Sequence, residues 1–153
     1  KEKGKPTPAV PPEVKNWLLN PDQYSFRMRG NIAQAIPMQW QDLYQMLTDK
    51  LHILSAGIDL AEIKGKDLLP TQSLAMSAAL NTKAFTSVSL ERSEAIKYLQ
   101  KETFTLPENT PKGIVLLTYN QFPIGFAKHL GNRTNNLYPQ EWRIRSRVVT
   151  TNN

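Results

Sequence analysis

Apolar positions along this chain switch between helical and strand-like spacing several times. Residues 22–29 (DQYSFRMR) and 32–36 (IAQAI) are two alternating runs on either side of Gly30-Asn31, a turn signal, and together they predict a β-hairpin. Trp40, Leu43, Tyr44 and Leu47 follow the i, i+3, i+4, i+7 spacing of an amphipathic helix with Pro37 near its start, and this stripe is expected in the core. Residues 51–54 and 60–63 read as short strands around Gly57, followed by the basic turn Lys64-Gly65-Lys66. Pro70 and Thr71 open the Ala-rich TQSLAMSAAL, which predicts a helix ending near Asn81, a residue that tolerates the left-handed conformation.

In the second half, AFTSVSL (84–90) is β-branched and half alternating, and Ser89 is a candidate N-cap for a helix over ERSEAIKYLQK (91–101). Glu91 and Glu94 lie early and Lys97 and Lys101 late in it, as the helix dipole prefers. FTLPENTPKG is a turn-rich connection. GIVLLTY (113–119) has the length and apolarity of a buried strand, and NQFP links it tightly to IGFAKHL (124–130), its expected antiparallel partner. GNRTNNLYPQ is a polar loop. EWRIRSRVV (141–149) is expected to be a closing strand, with Trp142, Ile144 and Val148 inside and Arg143, Arg145 and Arg147 outside. Trp142 would then pack beside Ile124 and Val115. No internal repeat is visible.

With 153 residues, 40% hydrophobic and 21% charged, the chain suits one domain or two small ones. No apolar run approaches the roughly 18 residues of a membrane-spanning helix. The opening KEKGKPTPAVPPEVK has no apolar signal-peptide core, and it reads as a Lys/Pro-rich tether between domains. The expectation is a cytoplasmic protein, not membrane-bound, and a monomer. The absence of cysteine excludes disulfides, thiolate metal sites and a thiol nucleophile within this chain. His52 and His129 are distant in sequence and too few for a metal site without carboxylate help, so no metal is expected. Asp59, Glu62 and Asp67 alternate with Lys64 and Lys66, a pattern of solvation more than of acid–base chemistry.

The net charge of +6 is unevenly placed. Acids and bases balance over residues 16–122, whereas 123–153 carries Lys128, Arg133, Arg143, Arg145 and Arg147 against Glu141 alone. A basic end on a neutral body suits a polyanion. If the strands around GFAKHLGNRTNNLYPQEWRIR (125–145) bracket its Gly/Asn loop, Lys128, Arg133, Arg143 and Arg145 converge on one edge. Guanidinium forks would then hold phosphates, while Asn132, Asn135 and Asn136 read 2′-hydroxyls or base edges. His129, beside Lys128, and Tyr138, inside the loop, are further candidates for RNA contact, the tyrosine by stacking. The plainer reading stays open: asparagines that cap turns, arginines that solvate an outer face, and Tyr119, Phe122, Tyr138 and Trp142 as core aromatics.

KGIVLLTYNQFPIGFAKHLGNRTNNLYPQEWRIRS closely resembles the C-terminal end of RsmF-like proteins, in the Nol/Nop/Sun family of RNA cytosine-5 methyltransferases. GIDLAEIKGKDLLPTQSLAMS (57–77) resembles the stretch that precedes the PUA-like domain there, and SEAIKYLQKET (93–103) resembles its helix. The resemblance implies an α+β chain: a tether over 1–20, a small α+β pre-PUA subdomain over 21–82, a PUA-like mixed β-barrel over 83–147 and a frayed tail over 148–153. It implies a catalytic domain upstream that uses S-adenosylmethionine. This chain lacks the family's attacking cysteine and any glycine-rich strand-to-helix turn for the cofactor, so no catalytic residue and no cofactor is expected in it. The implied function is to bind ribosomal RNA, of the small subunit, and to present a cytosine to that domain. The alternative is a protein-interaction domain that packs on its own methyltransferase domain with little direct RNA contact. A free-standing small enzyme lacks any cluster of acid–base groups to support it.

Overall fold

The computed structural model describes residues 8–40, 42, 43, 46 and 57–145. The chain divides into two compact units, Lys1–Ala84 and Phe85–Asn153, and each carries one four-stranded sheet. No helix among the described residues is long and apolar enough to cross a membrane.

The first unit is an antiparallel meander. Strands β1 (Tyr24–Arg29) and β2 (Ile32–Pro37) form the expected hairpin around Gly30-Asn31, and β3 (Ile58–Lys64) and β4 (Asp67–Pro70) complete the order β1-β2-β3-β4. Gly57 enters β3 at φ +77°, where a Cβ would collide with the Ala35 carbonyl oxygen, so only glycine fits. Val14, Leu18, Ala33, Ala35, Leu60, Ala61 and Leu74 are buried. Across the strands, Arg27 Nε and Nη2 donate to Gln34 Oε1 at 3.0 and 2.8 Å, and Gln34 Nε2 donates to Asp59 Oδ1 at 2.5 Å. The fully buried Gln34 amide is thereby satisfied.

Three expectations for this unit need correction. Val10, Val14 and Leu18, within the stretch read as a tether, are buried core residues. The chain forms helix α1 over Pro12–Lys15 and then pairs 17–19 with 79–81, through Leu19 N–H to the Ala79 carbonyl at 2.9 Å and Asn81 N–H to the Trp17 carbonyl at 2.8 Å. The Ala-rich 71–80 forms only one turn of helix, α2 (Gln72–Ala75), N-capped by the Thr71 hydroxyl, because Leu80 is drawn back into a bridge with Leu18. Trp40 and Leu43 are exposed rather than core, Trp40 by 53%. Tyr44, Leu47, residues 51–54 and His52 lie outside the described residues.

In the second unit β5 (Thr86–Ser89) runs parallel to β6 (Gly113–Tyr119), which pairs antiparallel with β7 (Phe122–His129), and β7 with β8 (Thr134–Asn136), in the order β5-β6-β7-β8. Helix α3 (Arg92–Leu99) is the crossover that joining parallel strands requires. Its Ala95 and Tyr98 cover one face of the sheet, packing with Val88, Leu90, Phe104, Val115, Leu117 and Ala127. Glu91, not Ser89, occupies the N-cap, because Ser89 still belongs to β5. The polar loop 131–140 contains β8, an edge strand the sequence concealed. The expected strand over 141–149 does not form in its described part: Gln140–Trp142 is a 3-10 turn and Trp142 is 55% exposed, not inside. Val148 and Arg147 lie outside the described residues.

Candidate nucleic-acid interface

The second unit holds a cleft of about 400 Å³ lined by Thr103–Leu106 on one side and His129, Gly131, Asn132, Arg133 and Thr134 on the other. The second wall is the turn between β7 and β8, closed by Leu130 N–H donating to the Arg133 carbonyl at 2.8 Å and by His129 Nδ1 lying 3.0 Å from Thr134 Oγ1. Gly131 has φ +95°, and a Cβ there would lie 2.7 Å from Lys112 Cε. The Lys112 stem therefore lies across Gly131, in the same turn that carries exposed Arg133.

The first wall is held by α3. Glu94 accepts from Thr105 N–H at 2.7 Å and from the Thr105 hydroxyl at 3.3 Å, and Lys97 Nζ donates to its other oxygen at 2.9 Å. The Lys97 bond first, and then the Thr105 amide, hold the Glu94 carboxyl below its ordinary range. Lys101 ends α3 at φ +61°, with its N–H on the Tyr98 carbonyl and the Glu102 N–H on the Lys97 carbonyl, the paired bonds of a Schellman turn. Its ammonium donates to the carbonyls of Asn136 and Tyr138 at 2.9 and 2.8 Å. Burial holds this amine below the usual lysine range, opposed by the Glu141 charge.

The nine residues singled out from sequence fall into separate places. His129, Asn132 and Arg133 line the cleft together. Lys128 and Asn135 are register partners and project from the opposite face of the sheet, since sides alternate along a strand. The Asn136 amide donates to the Tyr98 carbonyl at 2.8 Å and accepts from Tyr138 N–H at 2.8 Å, so it is spent inside the unit. Tyr138 packs its ring against Tyr98, with centroids 5.5 Å apart, and is not a free stacking face. Arg143 and Arg145 are exposed in the segment that Ile144 N–H pins to the Leu99 carbonyl at 2.9 Å. The 103–106 wall of the cleft and the Lys112 stem over Gly131 were missed, because both reach the turn through contacts remote in sequence. No group of three or more histidine, cysteine or carboxylate side chains that could hold a metal occurs among the described residues.

The second unit is thus a mixed sheet with one crossover helix and a cleft lined in part by the turn that carries Arg133. Residues 85–144, most of the second unit, match the family model of the methyltransferase RsmF PUA domain. Over 65 residues, 42% of the chain, it is 38% identical to the ribosomal RNA small subunit methyltransferase F of Shewanella woodyi, covering 13% of that protein. Over 99% of its length it is 24% identical to the enzyme of the same name from Shewanella loihica, covering 32% of it. The chain thus spans about a third or less of the curated relatives it matches.

Proposed function

We propose that this chain is the RNA-binding, substrate-positioning C-terminal region of an S-adenosylmethionine-dependent rRNA cytosine-5 methyltransferase, acting on small-subunit ribosomal RNA in the cytoplasm. The observation that carries the reading is the cleft, one wall of which is a turn that carries exposed Asn132 and Arg133 and is crossed at Gly131 by the Lys112 stem. The names of the relatives support the choice of RNA. In this reading the second unit is the PUA-like barrel, and residues 8–84 form a pre-PUA subdomain that includes most of the stretch read as a tether. Methyl transfer belongs to a catalytic domain elsewhere in a longer protein, since this chain has no cysteine to attack the base.

Fluorescence anisotropy with a short single-stranded RNA, repeated over a range of salt, tests this. If Lys112, Arg133, Arg143 and Arg145 each meet a phosphate, log K falls against log[salt] with a slope of roughly −3, at about −0.7 per contact. Arg133→Glu flattens the slope by more than one contact. An unchanged slope in a folded Arg133→Glu, Arg143→Glu double variant contradicts the reading.

A second reading applies to the first unit alone. Met38, Trp40, Leu43 and Met46 are all exposed within one short stretch, an apolar patch suited to packing on the methyltransferase domain. Trp40→Asp should then weaken association with a separately produced catalytic domain, and equal association would dismiss this reading.

A further inference from the structure

Trp142 is 55% exposed, yet its backbone is fixed. Its N–H donates to the Pro139 carbonyl at 3.1 Å, the Arg143 N–H to the Gln140 carbonyl at 3.4 Å, and the Ile144 N–H to the Leu99 carbonyl at 2.9 Å. Its ring meets Tyr138 edge-on at 6.5 Å and 75°. Tyr138 meets Tyr98 at 5.5 Å, and Tyr98 meets Phe104 at 5.5 Å. Phe104 is a lining residue of the cleft. A row of four rings therefore leads from the cleft lining to an indole at the surface, followed in the chain by exposed Arg143 and Arg145.

The topology puts this indole at the cleft end of the sheet. A crossover helix runs back against the parallel strands it joins, so the C-terminus of α3 at Leu99 lies where β6 begins and β7 ends. The other exposed large hydrophobic described in this unit, Phe122, starts β7 at the far end.

We propose that Trp142 is a stacking platform for one unpaired nucleobase of a single-stranded RNA, with the exposed Arg143 and Arg145 that follow it in the chain meeting phosphates of the same strand. The inference rests on the RNA-binding reading and adds a second contact point beyond the cleft. A single exposed ring followed by two exposed cations presents too little apolar area for a stable protein interface. It matches the π-face of one base, and the nearby cations match the phosphates of the strand that carries it.

The test uses the full chain with short oligoadenylate and oligouridylate and compares wild type, Trp142→Ala and Trp142→Phe. Stacking on an aromatic contributes enough that its removal weakens single-strand binding by about tenfold. Trp142→Ala should show that loss with an unchanged melting temperature, and Trp142→Phe should retain part of the affinity. Quenching of tryptophan fluorescence by oligoadenylate should shrink in Trp142→Phe, a signal that a merely structural role would not move. Wild-type affinity in a folded Trp142→Ala, or undiminished quenching in Trp142→Phe, overturns the proposal while leaving the cleft intact as an RNA site. If Trp142→Ala does not fold, the quenching comparison with Trp142→Phe decides. A wild-type chain that binds neither oligonucleotide removes the RNA reading itself.

Discussion

The Tyr98 hydroxyl donates to the Phe126 carbonyl at 3.0 Å, tying helix α3 to strand β7 through the middle of the second unit's core. Tyr98 is fully buried, and burial pushes its phenol far above the usual tyrosine range. The hydroxyl is therefore a permanent donor at any ordinary pH. Phe126 also accepts from Leu137 N–H at 3.2 Å, so removing the phenol does not leave its carbonyl bare.

Tyr98→Phe should accordingly cost about 1 kcal/mol, the net worth of one buried neutral hydrogen bond, whereas Tyr98→Ala should cost about 3–5 kcal/mol through the cavity it leaves. Urea denaturation of both variants checks the pair. Equal losses would mean that the hydroxyl, not the ring, dominates.

Glu94 makes the cleft wall sensitive to acid. Its carboxyl sits below the ordinary value of 4.5 in the folded chain because Lys97 and the Thr105 amide bind the anion. The stabilisation is therefore fully present above that value and is lost as pH falls through the lower folded one. Glu94→Gln should lower stability at neutral pH by about 1 kcal/mol. The gap between the variant and wild type should narrow in acid, as unfolding monitored at neutral pH and well below 4.5 would show. A gap of constant size would contradict the assignment.

At the β6–β7 turn, Asn120 and Gln121 both have positive φ, 47° and 69°. Asparagine tolerates that region and glutamine does not, so Gln121→Gly should stabilise the second unit by up to about 1 kcal/mol, less the entropy the added glycine gives the unfolded chain. Gln121→Val should destabilise it. Thermal melts that rank the three differently would rule out a strained turn.

Much of the fold was legible. Gly30-Asn31 between alternating runs announced β1 and β2, Lys64-Gly65-Lys66 the turn between β3 and β4, and the apolar GIVLLTY its place in the sheet. What was missed depended on partners remote in sequence. The helix propensity of 71–80 yielded to pairing with residues 17–19. The alternation of Trp142, Ile144 and the arginines mimicked a strand, but the edge beside β7 was already taken by Thr134–Asn136. At the site, Arg133, Asn132 and His129 could be found from charge and loop chemistry. Lys112 could not, because only the absent side chain of Gly131 brings its stem across the turn. Nor does a lysine in sequence reveal a left-handed backbone that aims its ammonium at two carbonyls, as Lys101 does.

The central claim is that RNA enters the cleft between residues 103–106 and 129–134. An NMR titration of the isotope-labelled chain with a short single-stranded RNA reads this directly, residue by residue. The account predicts amide shifts concentrated at Thr103–Leu106 and at Gly131, Asn132, Arg133 and Thr134, and their disappearance in Arg133→Glu. Shifts confined to residues 8–84, or to the Lys128 and Asn135 face of the sheet, would contradict it.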